Sequence, residues 1–107
     1  KQIITAIKNP EYGWQHHPAV NMWRGHVSCL ALYGRTICQE WIWRGYKDTL
    51  IGFFNDHYDI MTRDDPPWLG DEEFHRSHRS NLLRKAGHHY RQYWPDERND
   101  LEYFWPV

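Results

Sequence analysis

Apolar residues recur at helical spacing along most of the chain. Residues 2–8 (QIITAIK) place Ile3, Ile4 and Ile7 on one side of a helix's last turns. Asn9-Pro10 stops them, because proline cannot continue the hydrogen-bond ladder and disfavours helix at the residue before it. After a loop from Glu11 to His17, Pro18 sits well as the first residue of a long helix running to about Arg44. Its stripe is Val20, Trp23, Val27, Leu30, Ile37 and Trp41, with Gly34 on the same side, where a small residue permits close helix approach. Gly45 is the expected stop. Asp48 or Thr49 could cap a short helix carrying Leu50, Ile51, Phe53 and Phe54, and Asp64-Asp65-Pro66-Pro67-Trp68-Leu69-Gly70 reads as a stiff connector. Asp71 is a good N-cap, with Glu72 and Glu73 suiting the dipole of the first turn. That helix is expected to carry Phe74, His78, Leu82 and Leu83 inward and to close with Arg84, Lys85 and Gly87. The tail from His88 holds rings at Tyr90, Tyr93, Trp94, Tyr103, Phe104 and Trp105, and should make a short helical turn and then lie extended against the helices. With no repeat and no hairpin signal, the pattern predicts an all-α class: a compact single-domain helical bundle over residues 1–107, with a long central helix and an aromatic-rich C-terminal tail.

Composition narrows this picture. A length of 107 residues suits one domain. No apolar run approaches the ~18–20 residues of a bilayer span, so neither a transmembrane segment nor a secretory signal peptide is expected. Cys29 and Cys38 lie nine apart in one predicted helix, too far to bridge, which points to a reducing, cytoplasmic-type protein. Aliphatic residues are scarce, mean hydropathy is −0.91, and 7 Trp, 7 Tyr and 8 His leave rings to supply much of the core. The formal net charge of −1 conceals blocks: +3 over residues 1–45, −4 over 46–71, +3 over 72–94 and −3 over 95–107. Two basic blocks on predicted helices could still meet a polyanion. Lys1 is not a start methionine, and the chain reads as a fragment or processed product of something longer.

The histidines are the first candidates for chemistry. His75 and His78 would share a helix face, and His16-His17 and His88-His89 are adjacent pairs, but no Cys-x-x-Cys or His-Glu-x-x-His spacing accompanies them. No metal and no cofactor is expected. Mid-helix Cys29 and Cys38 read as small inert thiols. The strongest constellation is the run from His75 to Lys85, where Arg76, Arg79, Ser80 and Arg84 project away from the apolar side, as phosphate oxygens would require. Trp14, His16 and His17 precede a helix N-terminus, a natural anion site. The candidate DNA-binding residues are therefore His16, His17, His75, Arg76, His78, Arg79, Ser80, Arg84 and Lys85. The plainer alternatives are a solvated basic face, a core Trp14, a His17 that caps its helix and a buried His78 bonded to backbone.

Five ordered blocks carry a resemblance: Gly13-Trp14-Gln15-His16-His17-Pro18-Ala19-Val20-Asn21-Met22-Trp23; Arg44-Gly45-Tyr46-Lys47-Asp48-Thr49; Pro66-Pro67-Trp68-Leu69-Gly70; the run from His75 to Lys85; and Tyr103-Phe104-Trp105-Pro106. Together they resemble the pyrimidine-dimer DNA glycosylase family, more closely its bacterial and phage branch. The resemblance implies a mainly helical domain that binds ultraviolet-damaged double-stranded DNA, with no membrane and no small-molecule cofactor involved. It implies a location in the cytoplasm of a bacterial cell or phage-infected host. It also implies imine chemistry, in which the chain's α-amine attacks the sugar C1′, the base leaves, and the Schiff base permits strand cleavage by β-elimination. In that branch a basic stretch and a glutamate lie upstream of the segment resembling Lys1-Gln2-Ile3-Ile4, and neither Glu11 nor Glu40 occupies the glutamate's place. Gln15-His16 also stands where relatives commonly carry Arg-Asn. The expectation is a repair glycosylase/AP-lyase whose catalytic segment lies outside this sequence, so no catalytic residue is assigned. The alternative is a non-catalytic relative, structural or DNA-associated, for example in a phage particle.

Overall fold

The computed structural model describes residues 1–106. It is all-α, with α1 (Gln2–Lys8), α2 (Pro18–Trp23), α3 (Val27–Trp43), α4 (Ile51–His57) and α5 (Glu72–Tyr90), and no strand among the described residues. No helix is long and apolar enough to cross a membrane. The chain divides into two compact units, Lys1–Pro67 and a second beginning at Trp68.

In the first unit the long helix expected from Pro18 to Arg44 is two helices. Gly25 takes a left-handed φ of +82° between them, and the His26 amide turns back onto the Trp23 carbonyl. The break leaves the first amides of α3 without intrahelical partners. Asp64, remote in sequence, supplies them: its Oδ2 accepts from Ser28 N at 2.9 Å and its Oδ1 from Cys29 N at 2.8 Å. Ser28 Oγ in turn donates to the Asp59 carbonyl and accepts the Asp59 amide, pinning residues 59–64 against the start of α3.

The buried side of α3 also departs from the expected stripe. Ile37 is 52% exposed and Trp41 47%, while Ala31, Gly34 and Cys38 are buried. Small residues turn inward because large partners come to them: Ile4 of α1 and Phe54 of α4 complete the core with Ala31 and Cys38. Phe54 lies so close that a Cβ on Gly34 would stand 2.5 to 2.7 Å from its ring carbons.

Gly45 does stop α3, at φ +91°. Its amide reaches the Ile42 carbonyl and the Tyr46 amide reaches that of Trp41, the paired bonds of a Schellman terminus. The displaced Trp41 stacks on Tyr46 at 4.3 Å and donates Nε1–H to the Lys47 carbonyl. The N-cap of α4 is Leu50, neither of the two residues considered; Asp48, two residues upstream, accepts from Leu50 N and Ile51 N.

In the second unit Asp71 caps α5 by accepting the Glu73 amide, as its sequence suggests. The helix runs past Gly87 to Tyr90, with a kink at Ala86 (φ −148°, ψ 57°). Leu83 is buried but Leu82 is exposed, and the remaining buried positions are Ser77, Ser80 and Asn81. A polar helix face is buried because the tail lies along it as extended backbone: Leu101 N donates to Ser80 Oγ, Phe104 N to Ser77 Oγ, and Asn81 Nδ2 to the Leu101 carbonyl. Trp68, Phe74, His78, Tyr103 and Trp105 pack ring to ring beside it.

Replacing Gly34 with Ala should lower unfolding stability by about 1–3 kcal/mol, the usual cost of forcing volume into a packed contact. Urea denaturation measures it, and an unchanged midpoint would mean that Phe54 is free to retreat from α3.

Candidate nucleic-acid interface

The sequence offers two candidate surfaces, one in each unit. The basic run on α5 is the stronger by composition, yet its polar groups are engaged within the unit. Arg76 Nε meets Glu97 Oε1 at 3.2 Å and Arg79 Nε meets Glu97 Oε2 at 3.0 Å, while Arg79 Nη2 also pairs with Glu72. Only 12% of the Glu97 side chain remains exposed. Hydrogen bonds from Arg79, then from Arg76 and the Arg98 amide, hold its carboxyl below the usual carboxylate range against an opposing burial cost. Arg91 Nη1 fixes the Glu97 carbonyl as well, at 2.7 Å. Arg84 donates to Asn81 and to the Leu101 carbonyl, and Lys85 reaches the Tyr103 hydroxyl at 3.1 Å with its ammonium also over that ring.

Ser80 is fully buried and receives the Leu101 amide, which corrects the expectation that it projects from the helix. His78 is half-buried among Phe74, Tyr103 and Trp105, and its Nε2 is buried with no hydrogen-bond partner. His75 packs its ring edge against Phe74. What reads as a free cationic face is therefore a receptor for the tail, with two carboxylates compensating the arginines.

The second surface is the loop between α1 and α2. Gln15 organises it: Nε2 lies 2.8 Å from the Ala6 carbonyl, 2.9 Å from that of Asn9 and 2.8 Å from that of Tyr12, three acceptors around two amide hydrogens. Arg24 Nη2 clamps the Gln15 carbonyl at 2.8 Å and its Nε bonds Asn21 Oδ1. His17 caps α2, its Nδ1 accepting the Ala19 amide at 3.1 Å. The anion site expected at the start of a long helix is altered accordingly, since α2 has six residues and its cap is occupied.

Trp14 is not in the core. It is 64% exposed and is the one residue other than glycine at positive φ, +68°, among the described residues. For an L-residue that conformation costs about 1–2 kcal/mol. The indole meets the His17 ring edge-on at 5.5 Å and walls a cavity of about 260 Å³ with Gln2, Ile3, Ala19 and Val20. No carboxylate lines that cavity, and His16 stands exposed beside it in sequence.

Cys29 and Cys38 are free thiols, and burial pushes both above the usual range. Among the described residues no group of three or more His, Cys, Asp or Glu is placed to hold a metal ion.

Sequence reasoning missed the Gln15–Arg24 clamp, the exposure of Trp14 and the hub at Glu97. The last had no local signal, because its partners lie 18 and 21 residues away.

The family model for pyrimidine dimer DNA glycosylase matches residues 1–51. No curated protein and no solved structure matches the chain. The glycosylase match spans α1, the Trp14 loop, α2, α3 and the Schellman turn, ending on the first residue of α4. It thus takes in His16 and His17 and leaves out the run from His75 to Lys85.

The setting of His78 carries a pH dependence. Burial, then the nearby His75 charge, push its imidazole below the ordinary value, with a backbone hydrogen bond at Phe104 opposing them. The unfolded chain then binds the proton more readily than the folded one. Its stabilising contribution is full above pH about 6.5 and is lost as the pH falls through the depressed folded value. Urea midpoints followed from pH 7.5 downward should fall less steeply for His78→Phe than for the parent. Parallel curves would show that the imidazole titrates as it does in solvent.

Proposed function

We propose that this chain belongs to a DNA-repair protein of the pyrimidine dimer glycosylase type, which engages damaged double-stranded DNA through the first unit. The observation that carries this reading is the family match over residues 1–51. It is supported by the loop that match contains: an exposed aromatic ring, exposed His16, Arg24 at the Gln15 carbonyl, and a cavity with no carboxylate in its lining. DNA is bound largely through its phosphates, and a cavity lining without carboxylates avoids repulsion there, while exposed Glu11 stands earlier in the same loop.

On this reading His16 and His17 remain DNA-contact candidates. On α5, Arg76, His78, Arg79, Arg84 and Lys85 serve to hold the tail while His75 packs on Phe74, and a phosphate at Arg76 or Arg79 would have to displace the Glu97 carboxylate. The reaction proposed is the imine route of the family: a chain α-amine adds to C1′ as the base departs with the bonding electrons, the C1′–O4′ bond opens to leave the Schiff base, and loss of a C2′ proton then expels the 3′ phosphate by β-elimination. No residue of this sequence is assigned to that amine or to the glutamate that assists it.

Borohydride trapping of the complete gene product on ultraviolet-irradiated duplex should give a covalent protein–DNA adduct that unirradiated duplex does not. Binding without an adduct would favour a non-catalytic DNA-associated role, and absence of binding to either duplex would overturn the reading. Separately, Arg79→Ala should lower the thermal midpoint through loss of the Glu72 and Glu97 pairs while leaving the salt dependence of DNA binding unchanged. A slope flattened by about one unit would return Arg79 to the phosphate-binding face.

A further inference from the structure

We propose that the exposed apolar face of α3 is a self-association surface, on which two copies of this chain pack about a two-fold axis. The inference concerns the first unit alone and is independent of DNA binding.

The face is inverted for its helix. The small residues Ala31, Gly34 and Cys38 are buried, while the large ones beside them, Tyr33, Ile37 and Trp41, are 62%, 52% and 47% exposed. Leu30, Ile37 and Trp41 also belong to the stripe whose spacing predicts burial. With Leu50 these residues line a groove of about 460 Å³ that takes in Gly34 and Phe54. A contiguous apolar surface of this kind marks an interaction site.

Three features point to a second copy as its occupant. The first is the pattern. Tyr33, Ile37 and Trp41 follow one another at intervals of four and so form a single ridge along α3. Two such ridges interdigitate in the commonest class of helix packing. The ridge is symmetric about Ile37, so an axis through that residue sets Ile37 on its own counterpart and Tyr33 on the second copy's Trp41. One patch then serves both sides, as an isologous interface requires.

The second is area. Tyr46, 54% exposed, stacks on Trp41 and extends the face. At ~150–250 Å² per aromatic side chain, the exposed parts of Tyr33, Trp41 and Tyr46, with those of Ile37 and Leu50, offer roughly 400–550 Å² of apolar surface. A homodimer interface of standard size, ~800 Å² per partner and ~65% apolar, needs about 500 Å².

The third is charge. The ridge itself carries none, and the neighbouring Glu40 and Arg44 are paired with each other. Lys1 and Asp48 bring opposite charges to the groove, which makes its lining neutral and complementary to itself.

Sedimentation velocity of the chain without DNA tests the proposal. By about 10 µM the parent should sediment as a species of double the 13.1 kDa chain mass, since interfaces of this size reach micromolar affinity or tighter. Ile37→Glu sets two carboxylates on the axis and should weaken association by about a hundredfold or more, with an unchanged far-UV circular dichroism spectrum. Met61→Glu, at a residue 86% exposed outside α3, should remain dimeric. Should Ile37→Glu fail to fold, Tyr33→Glu carries the same expectation. A parent that is still monomeric at about 100 µM overturns the proposal, and uptake of an apolar dye by that monomer would assign the face to a different partner. A dimer that survives both Ile37→Glu and Tyr33→Glu overturns it equally, because the contact then lies elsewhere.

Discussion

The first unit depends on one carboxylate at one helix end. Asp64 places both oxygens on the amides of Ser28 and Cys29, where the dipole of α3 is positive and backbone donors would otherwise be unpaired. That contact allows the chain to break at Gly25 at low cost, so α2 can leave the direction of α3 and turn toward α1. It also brings the segment after α4 back to the start of α3, closing the unit on the core of Ile4, Ala31, Cys38 and Phe54. The loop bearing Trp14 is built on the same framework, with Arg24 at the end of α2 reaching across to hold Gln15.

The second unit is organised by a different economy. Its long helix buries serine and asparagine, and the tail's own amides and carbonyls satisfy them. Rings from both the helix and the tail then fill the space beside these bonds. Arginine and lysine finish the attachment at its margins, and Glu97 offsets the charge that they bring. A helix crowded with cations can thus be committed within its own unit, since the guanidiniums of Arg76, Arg79 and Arg84 each already have an oxygen partner.

Features decided within a few residues were legible from the sequence. Pro18 opening a helix, Asp71 as a cap, Gly45 as a stop and Asn9-Pro10 as a terminator all act through neighbouring backbone, and all are found in place. The errors share a non-local cause. The predicted helix runs unbroken from Pro18 to Arg44 because the Asp64 that satisfies the start of α3 lies far down the chain. Ile37 and Trp41 looked like core because no local rule places Phe54 on Gly34. Ser80 looked outward because burying a hydroxyl is favourable only when a partner arrives, here the Leu101 amide. Trp14 reads as part of an anion site or, more plainly, as core, whereas it is exposed at a positive φ enforced by its neighbours' contacts.

The tail's attachment has one more consequence. Ser80 and Ser77 hold the amides of Leu101 and Phe104, so two anchors three residues apart on the helix meet two anchors three residues apart on the tail, in opposite order. The groups that the serines grip are main-chain, and any residue except proline supplies them. Evolution is therefore free to vary side-chain identity between these anchors but not their number. A one-residue insertion or deletion there would slip the strap out of step, leaving a buried hydroxyl facing the wrong atom.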